Sequence, residues 1–407
     1  MKKQLSLLLC AAIILIVTAG CWDYRELEQR GLVCCLGLDR AAEPGKIKMT
    51  VSVIRPGEVS SDTGAGGVVR SKAAYYTATG DTVFETTRNF LMQSSRRLFW
   101  GHNRNLIIGE AMAREGVFKV IDRFVRGVEP RLRSWVFVAG GTEAKEIVET
   151  VSKMEDGLGA ELDALIKSSA SLSVVPQVDL KLFIERLNSK TAAAVAPRLE
   201  LIRAGEKTDA GDYPGTSGPA GAAEPKRQRL KLSGTAVFKG DRLVGWLNKA
   251  ESRGLLWALG KAQSSIVVVK CPGDESSLAS LELLELISKI KPEKRGNRIV
   301  ITVEVQTESN LVEQQGAADL ATPEALRSLE RRHATVVKNE IRAAVKKARE
   351  YNADIFGFGE AIERKFPQEW KELESRWDEA FPELEIELKV KSRILRVGRI
   401  TRPVGPR

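Results

Sequence analysis

Residues that usually build catalytic and metal sites are scarce in this chain of 407 residues. It has only two histidines, His102 and His333, and no cysteine or carboxylate stands at metal-ligand spacing around either. The Gly-x-Ser-x-Gly elbow of serine hydrolases is also missing. An extracellular hydrolase would rest on His102 and the abundant serines alone. We therefore expect a protein that is not an enzyme, with no catalytic residue, metal site or cofactor.

The hydrophobic run near the start is short. It extends from Leu7 to Val17, which is 11 residues, whereas a membrane-spanning helix needs about 20. Lys2 and Lys3 precede the run and small residues follow it. This order predicts a secretory signal peptide over residues 1–20.

Cys21 follows directly after Gly20, at the expected cleavage site. Small residues ending in a cysteine are typical of bacterial lipoprotein signals, in which the cysteine receives lipid and becomes the first residue. Thr18 departs from that pattern, since an aliphatic residue normally stands there. The alternative is an ordinary signal with an incidental Cys21. We expect lipid attachment at Cys21, because two or more acyl chains anchor a protein stably to a membrane.

Acidic residues are too few to balance the basic ones. The chain has 63 Lys and Arg against 53 Asp and Glu, a formal net charge of +10, and loss of Lys2 and Lys3 with the signal leaves 10 − 2 = +8. No zinc-finger spacing, basic heptad helix or RNA-binding signature accompanies the charge. We expect attraction to anionic headgroups or to a protein partner, and no nucleic acid.

Cysteines outside the signal are also few. Cys34, Cys35 and Cys271 form no disulfide framework, because their number is odd and their spacing fits none. Cys34 and Cys35 lie within a predicted buried strand, where small apolar packing residues are favoured over a redox pair.

Alternating strand and helix patterns predict a mixed α+β (α/β) fold, and the length predicts two or three domains, each a mixed or antiparallel sheet covered by helices. We expect a long helix starting at Thr322-Pro323 and N-caps at Asp81, Thr142 and Asp179. The expected segments are an N-terminal α/β domain, a flexible Gly/Pro-rich linker or loop, a middle domain and a C-terminal α/β domain, at residues 21–204, 205–227, 228–295 and 296–400.

Two motifs could contact a partner or a ligand. Arg96, Arg97, Trp100 and Arg104 mix cations with an aromatic side chain. They predict either a solvated helix end or a docking surface for an acidic partner loop or lipid headgroups. The segment from Asp354 to Gly359 contains two glycines but lacks the third glycine and the Lys-Ser/Thr of a phosphate loop. We interpret it as a turn between helices with its phenylalanines in the core.

Several blocks of sequence resemble the Ger(x)C family, the C subunits of spore nutrient-germinant receptors. They occur in the family's order along nearly the whole mature chain. The blocks are Cys21-Trp22-Asp23-Tyr24-Arg25-Glu26-Leu27, Leu36-Gly37-Leu38-Asp39, Phe99-Trp100-Gly101-His102 with Ile108-Gly109-Glu110, Gly234-Thr235-Ala236-Val237-Phe238 with Gly245-Trp246-Leu247, and Ala353-Asp354-Ile355-Phe356-Gly357-Phe358-Gly359 with Trp370 and Trp377.

The resemblance implies a non-catalytic lipoprotein on the outer face of the spore inner membrane. Family members assemble with a membrane-embedded A subunit and a transporter-like B subunit, and the complex commits the spore to germinate in response to nutrients. The resemblance also implies three α/β domains. A solute-binding lipoprotein that delivers a nutrient to a membrane transporter is the alternative.

Overall fold

The computed structural model describes residue 4 and residues 29–54, 73–127, 129–152, 155, 157–203, 207–208, 211–212, 228–296 and 298–397. The predicted lipid-attachment site, Cys21, and its neighbour Gly20 lie outside the described residues, as does most of the predicted linker.

Fifteen strands are found in the described part of the chain. They are β1 (Arg30–Arg40), β2 (Ile47–Ile54), β3 (Ala74–Gly80), β4 (Arg97–Phe99), β5 (Asn105–Ile108), β6 (Trp135–Ala139), β7 (Val195–Arg203), β8 (Lys207–Thr208), β9 (Gly211–Asp212), β10 (Gln228–Lys239), β11 (Arg242–Leu247), β12 (Ile266–Cys271), β13 (Asp274–Arg295), β14 (Arg298–Gln314) and β15 (Glu385–Arg396).

The α-helices of the same residues lie between these strands. They are α1 (Val83–Asn89), α2 (Glu110–Glu115), α3 (Phe118–Arg126), α4 (Ala144–Val148), α5 (Leu158–Ser169), α6 (Leu180–Leu187), α7 (Lys249–Ala258), α8 (Pro323–Glu350), α9 (Phe358–Lys365), α10 (Pro367–Leu373) and α11 (Trp377–Glu383).

The first sheet has nine strands in the order β11-β10-β7-β6-β5-β1-β2-β3, with β4 paired to β1. Its centre is parallel, from β1 through β5 and β6 to β7, and both sides are antiparallel. Helices cover both faces. Leu36 and Leu106 pack with α1, α2, α3 and α6 on one face, and Cys35 and Ile107 pack with α4 and α5 on the other.

The second sheet has four strands in the order β12-β13-β14-β15. The hairpin of β13 and β14 is antiparallel, and β15 runs parallel to β14. Its inner face packs Val303 and Val305 against α7, α8 and the short C-terminal helices. The 28-residue α8 begins at Thr322, whose side chain accepts the N–H of Ala325, with Pro323 at the first helical position as expected.

The mixed α+β fold class is confirmed. The described residues form two main sheets, and the expected domain boundaries remain a prediction. Residues 228–247 of the expected middle domain supply β10 and β11 of the first sheet. The boundary at 295/296 falls inside the β13–β14 hairpin. The sheet to which a strand belongs depends on its pairing with strands that are distant in the sequence. Local sequence patterns do not show that pairing.

Of the three expected N-caps, only Asp179 is found; its side chain accepts the N–H of Leu182. Thr82 rather than Asp81 caps α1. The N-cap of α4 is Glu143, not Thr142, and its side chain makes no capping hydrogen bond. Near the end of the chain, Pro367 is the first residue of α10, and a 3₁₀ turn at Glu374–Arg376 separates α10 from α11.

The loop before α9 joins the two halves of the chain, with its phenylalanines in the core as expected. Both carboxylate oxygens of the buried Asp354 accept backbone N–H groups, from Gly357 at 2.9 Å and Gly359 at 2.8 Å. Its carbonyl accepts the N–H of Ala193 in the first half. Gly357 has φ +75°, a conformation that favours glycine. Burial raises the pKa of Asp354 to about 6, although the N–H donors oppose the shift.

We predict that Asp354→Asn lowers the free energy of unfolding by about 2–3 kcal/mol, because the new NH₂ group would face a buried N–H donor. Denaturant unfolding measures the change. Asp319→Asn is the matched control, since Asp319 accepts one backbone N–H at the exposed surface. Equal losses in the two variants would contradict the role assigned to Asp354.

His333 lies on the buried side of α8. Its Nδ1 atom is 2.9 Å from Ser392 Oγ of β15 and 3.4 Å from Thr307 Oγ1 of β14. Trp257 of α7 packs edge-on at 6.4 Å. Burial, reinforced by the charge of Arg253, lowers the pKa of His333 to about 4. The imidazole is therefore neutral in the folded protein at pH 7.

This lowered pKa predicts acid sensitivity. The unfolded histidine protonates near pH 6.5 and the folded one near pH 4, so the stabilising contribution is complete above pH 6.5 and is lost as the pH falls. Lowering the pH from 7.5 to 4.5 should remove roughly 2–3 kcal/mol through this group. His333→Asn should flatten that dependence in paired denaturant titrations. An unchanged difference between the two pH values would refute the assignment.

Candidate functional site

A basic groove lies beside the start of β1. Helix α1, strand β4 and helix α3 form its walls, and its volume is about 610 Å³. We call it the arginine groove. Its lining residues are Phe84, Thr87, Arg88, Phe90, Leu91, Arg97, Leu98, Trp100, Arg123, Arg126, Gly127 and Glu129.

The floor of the arginine groove follows from strand pairing. Strand β4 runs parallel to the start of β1, with Arg97 opposite Arg30. The side chain of Leu98 points into the core, so the side chains of its neighbours Arg97 and Phe99 lie on the opposite face of β4. The guanidinium of Arg30 lies over the Phe99 ring at 5.2 Å. Trp100 follows and packs against Phe90 at 6.0 Å, which gives the groove an aromatic base.

Positive charge dominates the walls. The guanidinium groups of Arg88 and Arg123 lie 5.2 and 4.9 Å from the Phe84 ring centroid. Arg126 is paired with Asp122 at 2.8 Å, but no described carboxylate pairs with Arg88 or Arg97. Since Glu129 is the only acidic residue in the lining, the groove has a clear excess of cations.

Large apolar side chains are exposed next to these cations. Phe84 is 49% exposed, Leu91 51% and Met92 80%. Arginines flanked by exposed apolar side chains are typical of surfaces that meet a partner or the headgroup layer of a membrane. The arrangement favours binding over chemistry.

The structure brings together only part of the predicted partner-binding set. Arg97 and Trp100 line the arginine groove, whereas Arg96 and Arg104 do not. One guanidinium nitrogen of Arg96 is buried, and Arg104 is exposed just before β5. Sequence reasoning missed Arg88, although its spacing of four from Phe84 on one predicted helix was a usable signal.

His102 has no catalytic setting in the described structure. Its ring forms no hydrogen bond with a described residue. Partial burial and the charges of Arg104 and Arg131 lower its pKa, which favours the neutral form at pH 7. Within the described ranges, no group of three or more His, Cys, Asp or Glu residues could hold a metal ion.

The cysteines of the described residues are buried. Cys34, Cys35 and Cys271 are free. Burial raises the pKa of Cys34 to about 11 and that of Cys35 further. Since the thiolate is the reactive form, the environment of Cys34 and Cys35 favours a role as small apolar packing residues.

The motif residues at the other end of β1 have packing roles. Buried Asp39 accepts the N–H groups of Ala144 and Lys145 at 2.8 and 2.9 Å and thereby caps α4 from a distant strand. A Cβ atom at Gly109 would collide with the Asp39 carboxylate, and one at Gly37 would press against α4. These residues fix β1, β5 and α4 relative to one another.

Two family models match the chain. Residues 23–201 match the spore germination protein N-terminal domain. Residues 233–398 match the family described as spore germination B3/GerAC like, C-terminal. Together they span both sheets. Among the described residues, no helix is long and apolar enough to cross a membrane.

Similar proteins come from Bacillus subtilis (strain 168). Spore germination protein KC is 28% identical over 99% of this chain and 98% of its own length. Spore germination protein YndF is 24% identical over 98% of both chains. Spore germination protein B3 is 22% identical over 95% of this chain and 96% of its own.

The crystal structure of the GerBC protein has the same fold. It superposes with a TM-score of 0.55 at 17% identity and covers 88% of this chain and 97% of the GerBC chain. The order of the motif blocks, the two family matches and the shared fold agree. This chain belongs to the Ger(x)C family, the C subunits of spore germinant receptors.

Proposed function

We propose that this protein is a non-catalytic C subunit anchored by lipid at Cys21 to the outer face of the spore inner membrane. It assembles there with the membrane-embedded A and B subunits and supports receptor assembly and signalling in germination. The location of the arginine groove beside the start of β1, nine residues after Cys21 in the sequence, supports this proposal.

The arginine groove is within reach of the membrane. Strand β1 begins at Arg30, nine residues after Cys21, and nine residues span at most about 30 Å. Arg97 of the groove is paired with Arg30 itself. A lipid at Cys21 would therefore keep this end of the first sheet close to the headgroups.

Tethering changes the energetics of assembly. A protein confined to the membrane surface meets its membrane partners at a raised effective concentration, so modest contacts suffice. The cations of the groove add attraction to anionic headgroups or to an acidic partner loop. Any signal that the subunit transmits must come from contacts that differ between receptor states.

A solute-binding lipoprotein that delivers a nutrient to a transporter is the second candidate. It is favoured by an apolar cavity of about 850 Å³ between α5 and β10. Calorimetry against a panel of nutrients discriminates the two functions, since micromolar binding of a nutrient supports delivery rather than scaffolding.

Removing the proposed anchor should release the protein. We predict that Cys21→Ala moves it from the spore membrane fraction to the soluble fraction and cripples the nutrient response, because electrostatic attraction alone binds weakly in salt. Membrane fractionation and germination assays measure both effects. Cys10→Ala, inside the expected signal, is the control and should behave as wild type. A Cys21→Ala protein that stays membrane-bound and germinates normally would refute the anchor.

Charge reversal should test the groove separately. In the unlipidated chain from residue 22 onward, Arg88→Glu with Arg97→Glu should weaken binding to phosphatidylglycerol vesicles at least about tenfold, since each cation near an anionic surface contributes about 1 kcal/mol. Vesicle co-sedimentation at fixed salt measures this.

The matched control is Arg331→Glu with Arg342→Glu, two exposed positions on α8 with the same change in net charge. Equal weakening by both pairs would contradict a localised surface. If vesicle binding is unchanged but germination fails, the groove serves an acidic partner loop instead of lipid.

A further inference from the structure

The cavity lined by α5, β7 and β10 is a binding site for a small organic anion, as we infer from its walls and charges. This inference is independent of the anchor and of the arginine groove. The cavity has a volume of about 850 Å³, within the usual range for small-molecule sites. Helix α5, strands β7 and β10, the β11–α7 junction and α8 contribute to it.

An irregularity in strand pairing lies beside the cavity. Strand β10 pairs with β7 as far as Leu232 opposite Leu199, and pairing resumes with Thr235 opposite Pro197. Ser233 and Gly234 together stand opposite the single residue Arg198, so β10 has one extra residue there, as in a β-bulge. Gly234 has φ +132°, and a Cβ atom there would collide with the carbonyl oxygen of Leu247.

The walls are mainly apolar. The side chains of α5 and its following turn face those of β10 and β11 across the cavity. These apolar lining residues are Leu165, Leu172, Val174, Leu230, Leu232 and Trp246. Such a surface binds an aliphatic or aromatic group by removing it from water.

The charges of the lining favour an anion. The lining has four cations, Arg198, Lys231, Lys249 and Lys347, against two carboxylates, Glu200 and Glu251, a surplus of 4 − 2 = 2.

Most of these charges already have partners in the structure. Arg198 pairs with Glu200 at 2.7 Å, and Lys347 pairs with Glu350 at 2.6 Å. Glu251 belongs to the capping box of α7. No described carboxylate pairs with Lys231 or Lys249. These two lysines are available for a carboxylate whose apolar body fills the cavity.

Calorimetry of the lipidated full-length protein in detergent tests this inference with a matched set of probes. 3-Phenylpropionate should bind, whereas 3-phenylpropanamide and phenethylamine, with the same ring but no negative charge, should bind on the order of tenfold more weakly. Equal affinity for all three would overturn the preference for an anion. No binding of the anion would overturn the site.

Two sets of variants locate the site. Lys231→Gln with Lys249→Gln should weaken binding of the anion on the order of tenfold, whereas Lys119→Gln with Lys371→Gln, an exposed pair elsewhere, should leave it unchanged. If both lysine pairs act alike, the assignment fails.

Discussion

A loop that one buried carboxylate organises, that of Asp354, contacts both halves of this protein. The two sheets share no strand, so their relative position depends on side chains and loops between them. The Asp354 side chain organises its own loop through two backbone N–H groups, and its main-chain carbonyl binds Ala193 of the first half. The ion pair of Arg186 with Glu360, at 2.8 Å, lies beside it. Phe356 and Phe358, stacked at 4.9 Å, fill the space behind the loop.

A second buried carboxylate, that of Asp39, connects elements of the first half that are distant in the sequence. Asp39 ends the buried part of β1 and caps α4, which is separated from it by about a hundred residues. Gly37 and Gly109 are glycines because α4 and the Asp39 carboxylate occupy the space where a side chain would begin. Packing therefore explains why Gly37, Asp39 and Gly109 occur in the motifs that resemble the family. Such structural roles agree with a scaffold whose function lies at its surface.

The two proposed functional surfaces share no lining residue. The arginine groove is at the start of β1, next to the proposed tether, where cations and exposed apolar side chains can meet a membrane or an acidic loop. The cavity beside the β10 irregularity has mainly apolar walls and two lysines that pair with no described carboxylate. Binding at the groove depends on proximity to the bilayer, whereas binding in the cavity depends on removing apolar surface from water, so the two can vary independently.

Two helix starts were predicted correctly from the sequence. The start of α8 at Thr322-Pro323 and the cap at Asp179 are set by neighbouring backbone N–H groups, and the sequence places both partners side by side. The turn before α9 was predicted for the same reason. Thr142 does not cap α4, because Asp39, which is distant in the sequence, accepts the N–H groups at the start of that helix.

The sequence by itself therefore determined the mixed α+β class, the family and the positions of the longest elements, because these depend on short-range periodicity and on motifs that are read in order. Only the tertiary structure decided that residues 228–247 join the first sheet, that Arg88 and Arg123 meet Arg97 in one groove, and that Ser233 lines a cavity. Each of these outcomes depends on contacts between residues far apart in the chain, and the free energy of those contacts is not encoded in any single segment.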